Sequence, residues 1–187
     1  NAADNSAATD LTANKDARKA EIVTFPLGIN STSRAVAMDL RNSREVKIGL
    51  ANASVTPFGI ATGGRPLYGG DFNGSGTWYV VSSPAAPGLD TLMSVDTTSG
   101  AFTPLGPITG LASGSNTSGL TWDYSTNTMY LCNIVGAGPS SLYTLNIATR
   151  TATLVGVIAS GIVIDIACSN TGQIYGIKFA TAAGVSD

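Results

Sequence analysis

The chain has 187 residues, the length of one domain, and its 10 Lys+Arg against 12 Asp+Glu give a net charge of -2, which offers no electrostatic pull toward nucleic acid or an anionic membrane. It contains no histidine, which excludes Ser-His and Cys-His nucleophile pairs, an imidazole base and a zinc site built on His. Charged residues make up 12% of the chain, about half the usual share, beside 43% hydrophobics and 22 glycines, so the surface is polar but uncharged, a composition commoner among secreted and cell-surface β proteins than among cytosolic enzymes.

Residues 1–20 hold one large aliphatic side chain, Leu11, and read as a flexible polar leader, because they cannot bury enough surface to offset the entropy of ordering them. Asn1 fits a processed or engineered terminus, and if the protein is exported its signal is expected to be already removed. Pattern changes at Glu21, where Glu21-Ile-Val-Thr-Phe-Pro26 opens β-type sequence, and residues 21–187 read as one repeat domain. Charge is front-loaded, with 13 of the 22 charged residues in the first 50.

Three segments then align without gaps: Ala37–Gly49, Ser94–Gly106 and Thr144–Gly156. Each places an Asp or Asn (Asp39, Asp96, Asn146) ten residues before a glycine that follows an aliphatic residue (Ile48, Leu105, Val155). This predicts a β-hairpin, with an apolar strand, an Asx-type turn and a second strand closed by glycine. A second element alternates with it, a small polar turn followed by an apolar residue and tyrosine, anchored at Trp78-Tyr79, Met129-Tyr130 and Ile174-Tyr175.

Two hairpins in every ~50 residues make four short strands per unit, which predicts an all-β fold of β-propeller-like four-stranded repeat units. The units fall at about 34–50, 66–107, 118–157 and 162–178, the first lacking its leading hairpin and the last its trailing one. They amount to about three blade equivalents, fewer than the four a closed propeller needs, so the expectation is a partial or open propeller completed by further blades of a longer chain or by self-association. The longest apolar run, Ile162–Cys168, is short and interrupted by Asp165, so no membrane-spanning helix is expected.

The tyrosine-bearing strand followed by apolar-x-Asp-x-x-(Ser/Thr)-Gly and a later aliphatic-Gly pair resembles the degenerate propeller repeats of large secreted bacterial surface proteins of Bacteroidetes type. Leu92–Gly106, Leu142–Gly156 and Gly119–Tyr130 carry the resemblance, which extends over about residues 34–178. Asn146 in place of Asp, and Arg44 and Arg150 where glycine is usual, depart from it. The resemblance implies an adhesin-like, surface-exposed setting and specifies a fold more than an activity.

Several residues are candidates for chemistry. Asp71-x-Asn73-x-Ser75-Gly76 has the alternating oxygens of a calcium loop, and calcium is the one cofactor the sequence suggests. The match then fails at Ser82, where a bidentate Glu belongs, and the plainer reading is an Asx-stabilised turn. Asp123-x-Ser125-x-Asn127 shows the same alternation and the same lack.

Asp165 is the most unusual carboxylate. Strict alternation places it with Val163 and Ala167, opposite Ile162, Ile164 and Ile166, on an innermost strand that would point it into a central channel. Nothing in the sequence pairs it with a second carboxylate at glycosidase spacing. Trp122 and Tyr124, beside a turn, are the best exposed of the aromatics and the candidates for stacking a ligand, although repeat-locked aromatics generally pack blades together. Cys132 and Cys168 lie on neighbouring units and allow a disulfide. Asn30, Asn52, Asn73 and Asn116 head N-x-(Ser/Thr) sequons.

These residues favour a non-enzymatic, secreted or surface-exposed module of a larger bacterial protein, binding a protein or glycan or acting as a spacer. The alternative is a propeller domain of a secreted hydrolase acting on glycans or peptides.

Overall fold

A computed structural model describes residues 34–39, 44–49, 53–59, 67–83, 89–136, 138–158 and 161–178. The chain divides into residues 1–34 and 35–187, and the elements below belong to the second unit, with the first strand opening at the boundary. The polar leader, the Glu21–Pro26 segment and the sequons at Asn30 and Asn52 lie outside the described residues.

The described residues form antiparallel sheets at the predicted repeat positions. Strands β4 (Leu67–Phe72), β5 (Trp78–Ser82), β6 (Thr91–Val95) and β7 (Phe102–Pro107) make one four-stranded sheet in sequence order. Strands β8 (Ser115–Asp123), β9 (Thr128–Val135), β10 (Ser141–Asn146) and β11 (Thr151–Val157) make a second of the same order. Strands β12 (Val163–Cys168) and β13 (Ile174–Lys178) form a two-stranded sheet equivalent to the first half of a unit. The hairpin predicted at 34–50, the trailing one of its unit, is β1 (Arg34–Asp39) with β2 (Arg44–Gly49), extended by β3 (Val55–Phe58). The fold is therefore all-β, of propeller-like four-stranded units. No helix among the described residues is long and apolar enough to cross a membrane.

The turn chemistry read from the repeat operates as expected. Asp96 Oδ1 accepts hydrogen bonds from Thr98 N (2.7 Å) and Ser99 N (2.8 Å), and Asn146 Oδ1 accepts one from Thr149 N (3.0 Å). The aliphatic-glycine pair differs from the expectation. It does not close the strand but forms a bulge within it: Leu92 pairs with Gly106 and Met93 with Pro104, and Leu142 pairs with Gly156 and Tyr143 with Leu154. Leu105 and Val155 are the extra residues, and the strands run on to Pro107 and Val157.

The first strands of successive units pack side by side, β4 along β8 and β8 along β12, and converge like the inner strands of a propeller. Glycine permits this approach. A methyl group on Gly69, at φ 65°, would lie 2.5 Å from Leu120 N, and one on Gly119 would lie 2.8 Å from Ile166 N. Between the two complete sheets sits the largest core, built on Val81, Leu92, Ile108, Leu120, Met129 and Leu131, with burial of each such side chain contributing about 1.5–3 kcal/mol.

Two hydrogen-bonded latches recur from unit to unit. In the first, the residue before the third strand bonds its own unit's exit and the next unit's entry: Asp90 O accepts from Ile108 N (2.7 Å) and Asp90 Oδ2 from Thr117 N (2.6 Å). Ser140 repeats this, its carbonyl accepting from Ile158 N (2.7 Å) and its Oγ from Val163 N (2.8 Å). In the second, Asp71 Oδ2 accepts from Trp122 N (2.8 Å), and Thr121 Oγ1, one unit on, accepts from Cys168 N (2.9 Å).

Candidate functional site

Where β4, β8 and β12 converge they line an open concavity of about 430 Å³, large enough for a small ligand. Tyr68 and Asp71 enter from β4, Ser118 and Thr121 from β8, and Ile164 and Asp165 from β12. This is the channel position expected for Asp165, and it brings Asp165 and Asp71 into one cleft, a pairing the sequence reading did not make.

The two carboxylates are held differently. Asp71 accepts three hydrogen bonds, from Phe72 N (2.7 Å) on one oxygen and from Thr121 Oγ1 (3.0 Å) and Trp122 N (2.8 Å) on the other. Asp165 accepts one, from Ile166 N (2.9 Å), and is exposed on the cleft. Enclosure by the cleft walls pushes the Asp165 carboxyl above the usual carboxylate range, the Asp71 charge adds to this, and the Ile166 N–H opposes it. The cleft thus holds one carboxylate committed to the fold and one with a single hydrogen bond and a carboxyl raised above the usual range.

The alternation expected for β12 is broken. Val163 pairs with Lys178 and Asp165 with Ile177, leaving Ile164 as a bulge. The extra residue shifts the register of faces, so Val163 and Ile166 are buried together while Ile164 and Asp165 are exposed. Asp165 also occupies the place that Gly119 holds in β8, since Gly119 pairs with Cys132 and Asp165 with the equivalent Ile177.

The structure does not gather the suggested calcium ligands. Asn73 Oδ1 accepts from Ser75 N (3.1 Å), Ser75 Oγ (2.8 Å) and Thr77 N (2.9 Å), closing an Asx turn, while Asp71 points away to β8. Asp123 likewise turns onto Ser125 N (2.8 Å), Ser125 Oγ (2.7 Å) and Thr126 Oγ1 (2.6 Å), and these hydroxyl and N–H donors hold its carboxyl below the usual range. Trp122, expected to be exposed, is only 9% accessible and packs in the main core. Tyr124 is half-buried, donates to Phe72 O (3.4 Å), and has its phenol pushed up by burial and by the Asp71 charge. Among the described residues the exposed aromatics are Tyr68 and Tyr175 instead.

Cys132 and Cys168 are free thiols rather than the disulfide the sequence allowed. Cys132 is fully buried on a second strand opposite Gly119, whereas Cys168 sits at the far end of an inner strand opposite Ile174. Asn116 accepts from Ser83 Oγ (3.1 Å).

Sequence reasoning missed Asp90, Ser140 and Glu45. The first two are 50 residues apart, the repeat interval, and that spacing was the available signal. Glu45, fully buried on β2, has no hydrogen-bond partner for its carboxyl in any other described residue, and burial raises that carboxyl above the usual range while its own N–H opposes this. Nothing in its exposed-looking context, Arg44-Glu45-Val46-Lys47, marked it for burial.

No protein-family model matches the chain, and no curated protein matches it. Among solved structures it is similar to the selenomethionine-substituted virginiamycin B lyase from Staphylococcus aureus, at 12% identity and a TM-score of 0.45 over 84% of this chain. The chain spans 59% of the length of that protein. The propeller-like architecture stands on the strand order and on the packing of β4, β8 and β12.

Proposed function

We propose that this chain is a propeller-type binding module of a larger secreted or surface-exposed bacterial protein, with its ligand seated on the cleft between β4, β8 and β12. The carrying observation is the state of Asp71: three hydrogen bonds, two of them from the neighbouring unit, commit this carboxylate to holding the fold and leave Tyr68, Ile164 and one oxygen of Asp165 to meet a ligand. An uncharged Ser/Thr/Asn/Gly-rich surface and the likeness to surface-protein repeats support the extracytoplasmic setting.

A solid-phase screen of the chain against immobilised glycans and peptides, repeated with Tyr68→Ala and Asp165→Asn, tests this reading. Peptide or glycan hits seated on the cleft are expected to weaken in both variants; a screen in which no hit weakens in either variant overturns it.

One observation favours a second reading, a hydrolase domain. Asp71 and Asp165 share the cleft, and burial raises the Asp165 carboxyl above the usual carboxylate range, the direction a general acid needs. Turnover of chromogenic glycosides or peptides that disappears in Asp165→Asn would select the enzyme over the module.

A further inference from the structure

At the turn end of the β8–β11 sheet lies a second concavity of about 390 Å³, lined by Trp122, Asn127, Thr128, Thr144 and Asn146 among others. None of its lining side chains is charged. Trp122 is nine-tenths buried, and its indole N–H has no acceptor. An orphaned buried donor is costly, and native folds fill nearly all of them with protein or water.

Gly74 lies beside this donor. A methyl group on it would sit 3.5 Å from Trp122 Nε1 and 3.3 Å from Asn127 Oδ1, so one donor and one acceptor that line the concavity stand close to the same glycine. Gly74 lacks the positive φ that favours glycine, so its backbone does not require glycine. Asn127 takes a left-handed φ of 53°, and no hydrogen bond engages its amide among the described residues.

The repeat shows that folding does not require this donor. Trp122 pairs with Met129, and the residues at its place in the other units are Phe72, paired with Trp78, and Cys168, paired with Ile174. Neither brings an indole N–H. A hydroxyl both accepts and donates, and so satisfies Nε1–H and Oδ1 together.

We propose that this concavity binds a neutral saccharide, with one sugar hydroxyl seated between Trp122 Nε1 and Asn127 Oδ1. This site is separate from the central cleft and does not rest on the reading given for that cleft.

The test titrates the chain with glucose, galactose, mannose, N-acetylglucosamine, maltose and cellobiose, followed by saturation-transfer NMR and tryptophan fluorescence. At least one sugar is expected to bind saturably. Gly74→Ala puts a methyl group 3.3 Å from Asn127 Oδ1, close enough to displace that amide, Trp122→Phe removes the donor, and Asn127→Gly removes the acceptor at a φ that glycine adopts freely. Each is expected to weaken binding about tenfold, the loss typical of one hydrogen bond, and Trp78→Phe is expected to leave it unchanged. Unchanged melting temperatures for Gly74→Ala and Asn127→Gly keep the result readable if Trp122→Phe folds poorly. Binding by no sugar in the panel, an ordered water as the only occupant, or binding lost in Asp165→Asn but kept in Gly74→Ala would overturn the assignment. Only the last of these speaks for the central cleft.

Discussion

Asp71 shows how much of this fold rests on single side chains. Its Oδ2 holds Trp122 N and Thr121 Oγ1 of the adjoining unit, and hydrogen bonds to a charged group are each worth about 1.5–3 kcal/mol. Asp71→Ala orphans the Trp122 N–H, and urea denaturation is expected to show a loss of about 2–3 kcal/mol; an unchanged midpoint would remove Asp71 from the latch. Glu45 is the opposite case, a fully buried carboxyl that no other described residue partners. Because its folded pKa is raised above 4.5, the native state holds a proton that the unfolded chain releases first. The stability Glu45 permits is therefore present below about 4.5 and declines as pH rises through the raised value. Glu45→Gln is expected to raise the melting temperature at pH 7 and to bring little gain at pH 4, and an equal gain at both pH values would count against this account.

At the scale of strands, bulges and glycines decide which side chains reach the cleft. Gly119 has no positive φ, and its only reason for lacking a side chain is the approach of Ile166 N. Gly119→Ala pushes β8 from β12, so a fall in melting temperature is expected together with faster amide exchange along β12, since overpacking of this kind typically costs about 1–3 kcal/mol. Exchange that stays slow at Ile166 and Cys168 would show that the strands tolerate a methyl group between them. The strands themselves were legible, because the ten-residue Asp-to-Gly interval and the recurrent tyrosine strand are local signals that repeat. The faces of β12 were not. Alternation read from Ile162 to Cys168 presumes an unbroken ladder, and the bulge at Ile164 reverses it. Trp122 failed for a related reason: a turn-proximal aromatic looks exposed until the neighbouring sheet covers it, and that covering is a long-range contact. The pairing of Asp71 with Asp165 is equally non-local, arising from strands almost a hundred residues apart.

For the molecule as a whole, the two-stranded β12–β13 sheet is the least covered region described. Tyr175 and Ile177 are 63% and 60% exposed, and Ile164 stands beside them at 43%. Exposed apolar side chains on a sheet invite association. Sedimentation of the isolated chain is expected to depend on concentration, with Tyr175→Ser and Ile177→Lys together shifting it toward monomer; a wild-type chain that stays monomeric at high concentration would refute this. Elsewhere the sheets are joined by the two latches, and the donor that Asp71, Thr121, Asp90 and Ser140 all receive from the following sheet is a backbone N–H. Every residue except proline supplies that group, whatever side chain it bears. Each blade can thus drift in sequence without a matching change in its neighbour, and a duplicated or transplanted blade arrives already able to be held, provided the preceding one keeps a short oxygen-bearing side chain at two places.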